Sequence, residues 1–327
     1  MNQAAETQRA DRIEGDAVIV AGPTCSGKSA LALKLAEAFG GVVINADSMQ
    51  VYRELRVLTA RPTPDEEARC PHRLYGVRPA AEPGSVAWWR GEALRAMRAA
   101  WAAGKLPILC GGTGMYLASL TDGLTEFPEP PGEARAGARA LLAEIGPAAL
   151  HARLDEASAA RLCPQDSQRV ARAYEVLRGT GRGLAYWQSR PAEPLTGWRL
   201  RMILLDPPRA DLRGAIETRF AAMLAGGALA ETAALLARNL PHDLPLLRAH
   251  GMPELAAHLN GEVGLEEARA RAVSATARYT KRQMTWFRHQ QLVSKPDMQL
   301  IKSRYAGCKQ LLESIIADIR NFMRSLG

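Results

Sequence analysis

The segment Gly22-Pro23-Thr24-Cys25-Ser26-Gly27-Lys28-Ser29 has the spacing G-x-x-x-x-G-K-[ST], in which each residue type has a task at a phosphate. Glycines let the backbone turn its N–H groups toward phosphate oxygens, and the N-terminus of a following helix adds partial positive charge. Lys28 adds a full charge, and the Ser29 hydroxyl can hold Mg²⁺. The loop is therefore expected to bind a di- or triphosphate. The reaction stays open, because kinases, ATPases and other diphosphate users share the pattern.

Asp47 and the turn Gly111-Gly112-Thr113-Gly114 each follow an apolar run that reads as a strand. Doubly wound sheets collect their ligands at the carboxyl ends of strands, so both belong beside the phosphate loop. A carboxylate at position 47 could coordinate Mg²⁺ or accept a proton from a nucleophile, or it could simply cap the next helix.

The elements that position these residues are legible from periodicity. Ala17 to Ala21 reads as a strand, Lys28 to Phe39 as a helix, and Val42 to Asn45 as a second strand. Trp88 to Ala103 fits a helix and Leu106 to Cys110 a buried strand. Alternation of this kind predicts a P-loop-type α/β core, a parallel sheet with helices on both faces. The Pro-, Gly- and charge-rich stretch Thr125 to Gly137 interrupts it, and Ala138 to Gln188 reads as wholly helical. The expected division is a discontinuous core of residues 1–124 and 192–296, a helical insert of 125–191, and a C-terminal helical tail of 297–327. Leu200 to Leu205 marks the return to the sheet.

Composition sets the outer limits. The chain has 327 residues, 47% hydrophobic, with a net charge of +8 that permits a polyanionic partner. Five cysteines, odd in number and without a CxxC pair, suggest neither a disulfide framework nor a zinc site. No apolar run is long enough to span a bilayer, and the N-terminus lacks a secretory stretch, so a cytoplasmic protein without a membrane association is expected.

Several segments in order resemble the tRNA dimethylallyltransferase (IPP transferase) family. They are Gly22 to Ser29, Asn45-Ala46-Asp47-Ser48-Met49-Gln50-Val51-Tyr52-Arg53, Thr59-Ala60-Arg61-Pro62, Pro71-His72-Arg73-Leu74 and Gly111-Gly112-Thr113. Pro164-Gln165-Asp166-Ser167-Gln168-Arg169-Val170, Glu217-Thr218-Arg219-Phe220 and Lys281-Arg282-Gln283-Met284-Thr285-Trp286-Phe287-Arg288 complete the match. The resemblance implies that the loop holds dimethylallyl diphosphate, with Mg²⁺ as cofactor, and that the group is passed to N6 of the adenosine 3′ of the anticodon in tRNA. It implies Asp47 as general base, Thr113 as a substrate contact, and Lys28, Ser29, Thr24 and Arg219 as the diphosphate and metal site. A monomer without an obligate protein partner is expected.

The same resemblance carries tRNA contacts to Asp47, Ser48, Met49 and Gln50 and to Gln165, Asp166, Ser167, Gln168 and Arg169. Between Arg271 and Tyr305 the chain has eight Lys or Arg and one acid, Asp297. On a helix, Arg278, Lys281, Arg282, Thr285 and His289 share one face, suited to the phosphates of an anticodon stem-loop, and Ala277, Met284 and Phe287 another. The family often has glycine and lysine where this chain has Leu58 and Arg61. Arg248 to Glu254 stands where relatives have another loop that touches tRNA. Competing readings are a small-molecule kinase, a nucleotide-ordered RNA-binding switch, and prenyl transfer to free adenine nucleotides.

Overall fold

The apolar run before the phosphate loop forms β1 (Gly15–Ala21), every residue of which is buried in the computed structural model. The structure describes residues 15–125, 128–192 and 194–324. β1 lies inside a six-stranded parallel sheet with β2 (Val42–Asn45), β3 (His72–Arg73), β4 (Pro107–Gly111), β5 (Trp198–Leu205) and β6 (Met298–Ile301). The strand order is β3-β2-β4-β1-β5-β6. Burial of both faces is why β1, β2 and β4 read as unbroken apolar runs rather than alternating ones.

Helices cover the sheet. α1 (Lys28–Phe39) starts at the phosphate loop and stops at Gly40, whose left-handed φ of 60° suits a glycine C-cap. α2 (Pro64–Arg69) opens with a Thr63–Glu66 capping box. α3 (Val86–Ala102) begins two residues before the expected Trp88, because the Ser85 side chain accepts the Trp88 N–H and moves the cap upstream. α4 (Gly114–Thr121) follows the glycine turn after β4.

The described residues divide into two compact units, one reaching to Thr121 and resuming at Leu195, the other Asp122–Pro194. The second unit holds α5 (Gly132–His151), α6 (Glu156–Ala159), α7 (Ser167–Thr180) and α8 (Leu184–Gln188). The stretch Ala138 to Gln188 was expected to be wholly helical, and its elements are all helices. Gly146 at φ 76° followed by Pro147 breaks α5, and Gly181 at φ 70° ends α7. Inside this unit Glu175 is buried and paired with Arg135 and Arg172.

In the first unit β5 leads into α9 (Arg209–Ala225), α10 (Ala228–Leu236), α11 (Met252–Leu259) and α12 (Leu265–His289). The segment expected to be a helical tail from 297 is different in kind. Its first residues form β6, paired in register with β5 from Met202↔Met298 to Leu205↔Ile301, before α13 (Lys309–Arg324). A four-residue edge strand is too short for its periodicity to be seen, which hid it in the sequence. No single helix among the described residues is long and apolar enough to cross a membrane.

Candidate active site

The loop between β1 and α1 turns on two left-handed residues. Gly27 caps α1 at φ 91°, and Cys25 is held at φ 66°, a region a side chain rarely occupies. Thr24 donates its backbone N–H to Gln283 Oε1 at 2.9 Å, while Gln283 Nε2 donates to the Gly112 carbonyl at 2.9 Å. One buried amide on α12 therefore ties the phosphate loop to the glycine turn. Lys28 Nζ reaches back to the Pro23 carbonyl at 3.3 Å. Burial lowers the Lys28 pKa, against the pull of the Cys110 thiol and Asp47. The Cys110 thiol is pushed up to about 11 by the same burial.

Asp47 is fixed by its neighbour Asn45. Asn45 Oδ1 accepts the Asp47 N–H at 2.8 Å, and its amide nitrogen donates to the carbonyls of Asp47 at 2.9 Å and Leu74 at 3.1 Å. Asp47 Oδ1 accepts the Met49 N–H at 2.9 Å, which closes a turn; no helix starts here, and the next one, α2, is capped by Thr63, so the helix-capping role weighed from sequence does not apply. The half-buried side chain still lines the cavity. Thr113 Oγ1 accepts the Ser48 N–H at 2.9 Å and lies 3.3 Å from Ser48 Oγ. Thr113 is thus engaged with the Asp47 loop and is not on the cavity wall.

That cavity has a volume of about 340 Å³. Thr24, Cys25, Lys28 and Ser29 form one side of it, whereas Gly22, Pro23, Ser26 and Gly27 shape the loop without lining the space. Asp47, Ser48, Met49 and Gln50 also line it, with Arg219 from α9, whose Nη1 lies 3.9 Å from the Cys25 sulfur. Leu58, Ile216, Phe220 and Met223 give it an apolar wall. A methyl at Gly251 would meet Leu58 Cδ1 at 2.8 Å and the Phe220 ring at 2.9 Å, so Leu58 fits only because residue 251 lacks a side chain.

Two cavity residues, His250 and Tyr279, were not picked out individually from sequence. Their ring centroids are 4.4 Å apart, and the Arg282 guanidinium lies 5.5 Å from the Tyr279 ring. Burial, then Arg282 and Arg278, keeps the His250 pKa below the usual histidine value. His250 lies in the Arg248 to Glu254 segment, and only packing of α12 against that segment brings it to Tyr279. Arg278, Lys281, Arg282, Thr285 and His289 are exposed on α12, while Met284 and Phe287 are buried. Of the three basic residues, Arg282 lines the cavity and Arg278 and Lys281 do not.

Gln165, Asp166, Ser167, Gln168 and Arg169 belong to the second unit, at the start of α7. Asp166 caps that helix, accepting the Arg169 N–H at 3.1 Å and pairing with its guanidinium at 3.2 Å.

Among the described residues no group of three or more His, Cys, Asp or Glu could hold a metal. Mg²⁺ does not require one, since it takes oxygen ligands, keeps waters, and is commonly held by one or two protein groups with substrate phosphates. The exposed Ser29 and the half-buried Asp47 line the same cavity, an oxygen donor set that fits this mode.

Residues 50–290 match the family model described as IPP transferase, and residues 15–84 match that described as isopentenyl transferase. The chain belongs to the IPP transferase family. It is 58% identical to the tRNA dimethylallyltransferase of Granulibacter bethesdensis over 95% of this chain and 99% of that one. Identity to the tRNA dimethylallyltransferase of Gluconacetobacter diazotrophicus is 59%, over 97% and 96%. The crystal structure of the tRNA isopentenylpyrophosphate transferase of Bacillus halodurans superposes with a TM-score of 0.68 at 30% identity, covering 95% of this chain and 97% of that one. Within this IPP transferase, the phosphate loop, Asp47 and Arg219 surround a cavity with an apolar wall.

Proposed function

We propose that this IPP transferase moves the dimethylallyl group of dimethylallyl diphosphate to N6 of the adenosine 3′ of the anticodon in tRNA. The products are N6-dimethylallyladenosine and diphosphate. The observation that carries the reading is that one cavity combines the phosphate-loop lysine and Arg219, a carboxylate and an apolar wall. A prenyl diphosphate has the matching parts: an anion, a reacting carbon and a branched hydrocarbon.

Lys28, Thr24, Ser29 and Arg219 bind the diphosphate and stabilise the charge it gains as the allylic C–O bond breaks. The Ser29 hydroxyl would hold Mg²⁺, which would supply neutralisation of leaving-group charge. Leu58, Ile216, Phe220 and Met223 enclose the hydrocarbon and exclude water from an electrophilic carbon. The N6 lone pair forms the new bond to that carbon, the C–O electron pair leaves with diphosphate, and a proton of N6 passes to Asp47. Asp47 Oδ1 already accepts the Met49 N–H, so Oδ2 takes that proton. An adenine amine is a poor nucleophile because its lone pair is delocalised, which is why proton acceptance and alignment matter.

The target base must leave the stacked loop to enter the cavity. Arg278, Lys281 and Arg282 contact the backbone of the anticodon stem-loop, as do Gln165 to Arg169 of the second unit. The helical insert of 125–191 contacts RNA, and the core supplies catalysis together with the RNA contacts of α12. The enzyme works in the cytoplasm beside its tRNA, as a monomer without an obligate protein partner.

The test is to mix protein, Mg²⁺ and labelled dimethylallyl diphosphate with unmodified tRNA, and in parallel with AMP, ADP or ATP, then to identify the labelled nucleoside. Label in N6-dimethylallyladenosine from tRNA is expected. Label only in free nucleotides, or loss of γ-phosphate from ATP without label transfer, would overturn the reading.

A further inference from the structure

The segment after β6 carries no recognisable motif, yet it lies against the back of the phosphate loop. Arg304 Nε donates to the Cys25 carbonyl at 2.9 Å, and the Tyr305 N–H donates to the Ser26 carbonyl at 2.9 Å. The approach is so close that a Cβ on Gly27 would lie 2.0 Å from the Tyr305 carbonyl oxygen. Two successive loop carbonyls are therefore held on the C-terminal side.

A trans peptide sends its C=O and N–H in opposite directions. With the Ser26 carbonyl drawn to Tyr305, the Gly27 N–H faces away from the C-terminal segment and into the loop. With the Cys25 carbonyl drawn to Arg304, the Ser26 N–H stays in the turn it makes with the Pro23 carbonyl at 3.2 Å. This matters because Cys25 sits at φ 66°, a conformation that a non-glycine residue keeps only when its surroundings impose it. Arg304 also lines a second, open cleft together with Arg219 and Asp211, so its charge lies on the Arg219 side of the loop.

We propose that Arg304 is a positioning residue for the diphosphate, holding the phosphate loop in its anion-binding shape through the Cys25 carbonyl. The inference rests on the loop binding the diphosphate of the donor. Anchors independent of Arg304 keep the segment in place. Asp206 donates its N–H to the Ile301 carbonyl at 2.8 Å, and its buried carboxylate pairs with Lys302 at 2.8 Å and Arg288 at 2.8 Å. Removing the Arg304 side chain should therefore disturb the loop without unfolding the chain.

The experiment measures inorganic pyrophosphate binding by calorimetry in the full chain, and KM for donor and for tRNA separately, in wild type, Arg304→Ala and Arg304→Lys. Arg304→Ala is expected to bind pyrophosphate about tenfold more weakly, the effect of losing one charge-assisted hydrogen bond that shapes the site. KM for dimethylallyl diphosphate should rise in parallel, with KM for tRNA and the melting temperature unchanged. Arg304→Lys, which keeps a cationic donor, should recover most of the affinity. Equal pyrophosphate affinity in wild type and Arg304→Ala would overturn the inference alone, as would an equal rise in both KM values. A wild-type protein that binds no pyrophosphate would overturn it together with the phosphate-loop reading beneath it.

Discussion

Gln283 and Thr24 stand 259 positions apart in the chain and meet through a 2.9 Å hydrogen bond from the Thr24 N–H to the Gln283 amide oxygen. The other end of the same amide donates to the Gly112 carbonyl. Gln283→Leu keeps the volume but strands the half-buried Thr24 N–H and the buried Gly112 carbonyl. A loss of about 2–4 kcal/mol in unfolding free energy is expected, since each such group costs on the order of 1–3. Gln283→Glu keeps the acceptor but buries a carboxylate with an oxygen facing the Gly112 carbonyl, so urea denaturation should rank it no more stable than Gln283→Leu at neutral pH. A Gln283→Leu protein as stable as wild type would show that the amide does not hold these two turns together.

Lys28 should trade stability for function. Burial lowers its pKa below the ordinary 10.5, so over the interval between the folded pKa and 10.5 the unfolded chain binds the extra proton. Stability then falls as pH drops through that interval, and the penalty is complete below the folded pKa. Lys28→Met is expected to raise the urea midpoint of the free protein at pH 7 while abolishing pyrophosphate binding. A bound anion favours the charged lysine, so wild-type binding at alkaline pH should take up protons, measurable as a buffer-dependent heat. Heat that does not vary with buffer in that range would refute the coupling.

Asp47→Asn separates the two duties of the carboxylate. Asparagine keeps an oxygen for the Met49 N–H, so the local turn should survive, but it cannot accept the N6 proton. A fall in kcat of about 10²–10⁴ is expected, the usual range for loss of a general base, with tRNA affinity nearly unchanged. Turnover close to wild type would remove Asp47 from that role.

The parts of this site that sequence made legible are those carried by short, continuous patterns. The strand, glycine loop and helix from Gly15 to Phe39 follow from apolar spacing and glycine placement, and so does the exposed basic face of α12. Gln283 was invisible as a link because a lone polar residue on an amphipathic helix looks the same whether it faces solvent or a loop. His250 and Tyr279 meet only through packing of separate elements, and β6 is too short to show a period. Thr113 has its place after a strand, as expected, but its hydroxyl is engaged with Ser48, a detail that no spacing rule contains.

Leu58 should set the length of donor the cavity accepts. It is 3% exposed, lines the apolar wall and contacts the space left open at Gly251. Leu58→Ala is expected to lose about 2–5 kcal/mol of stability, the usual cost of truncating a buried leucine, and to open room for a longer allylic chain. The ratio of kcat/KM for geranyl diphosphate to that for dimethylallyl diphosphate should rise in the variant. An unchanged ratio would place the hydrocarbon elsewhere.

The basic face of α12 should act through charge alone. Phosphate contacts release counterions, so each one contributes about 0.7–0.9 to the slope of log affinity against log salt. Arg278 and Lys281 are exposed and do not line the cavity. The double substitution Arg278→Gln, Lys281→Gln should therefore flatten that slope by about 1.4–1.8 and weaken binding similarly for every tRNA tested. Pyrophosphate binding and the kcat at saturating tRNA should stay at wild-type values. Arg282, which lines the cavity beside Tyr279, should behave differently, with Arg282→Gln lowering kcat as well as affinity. A salt slope that does not change in the double variant would show that this face points away from the RNA.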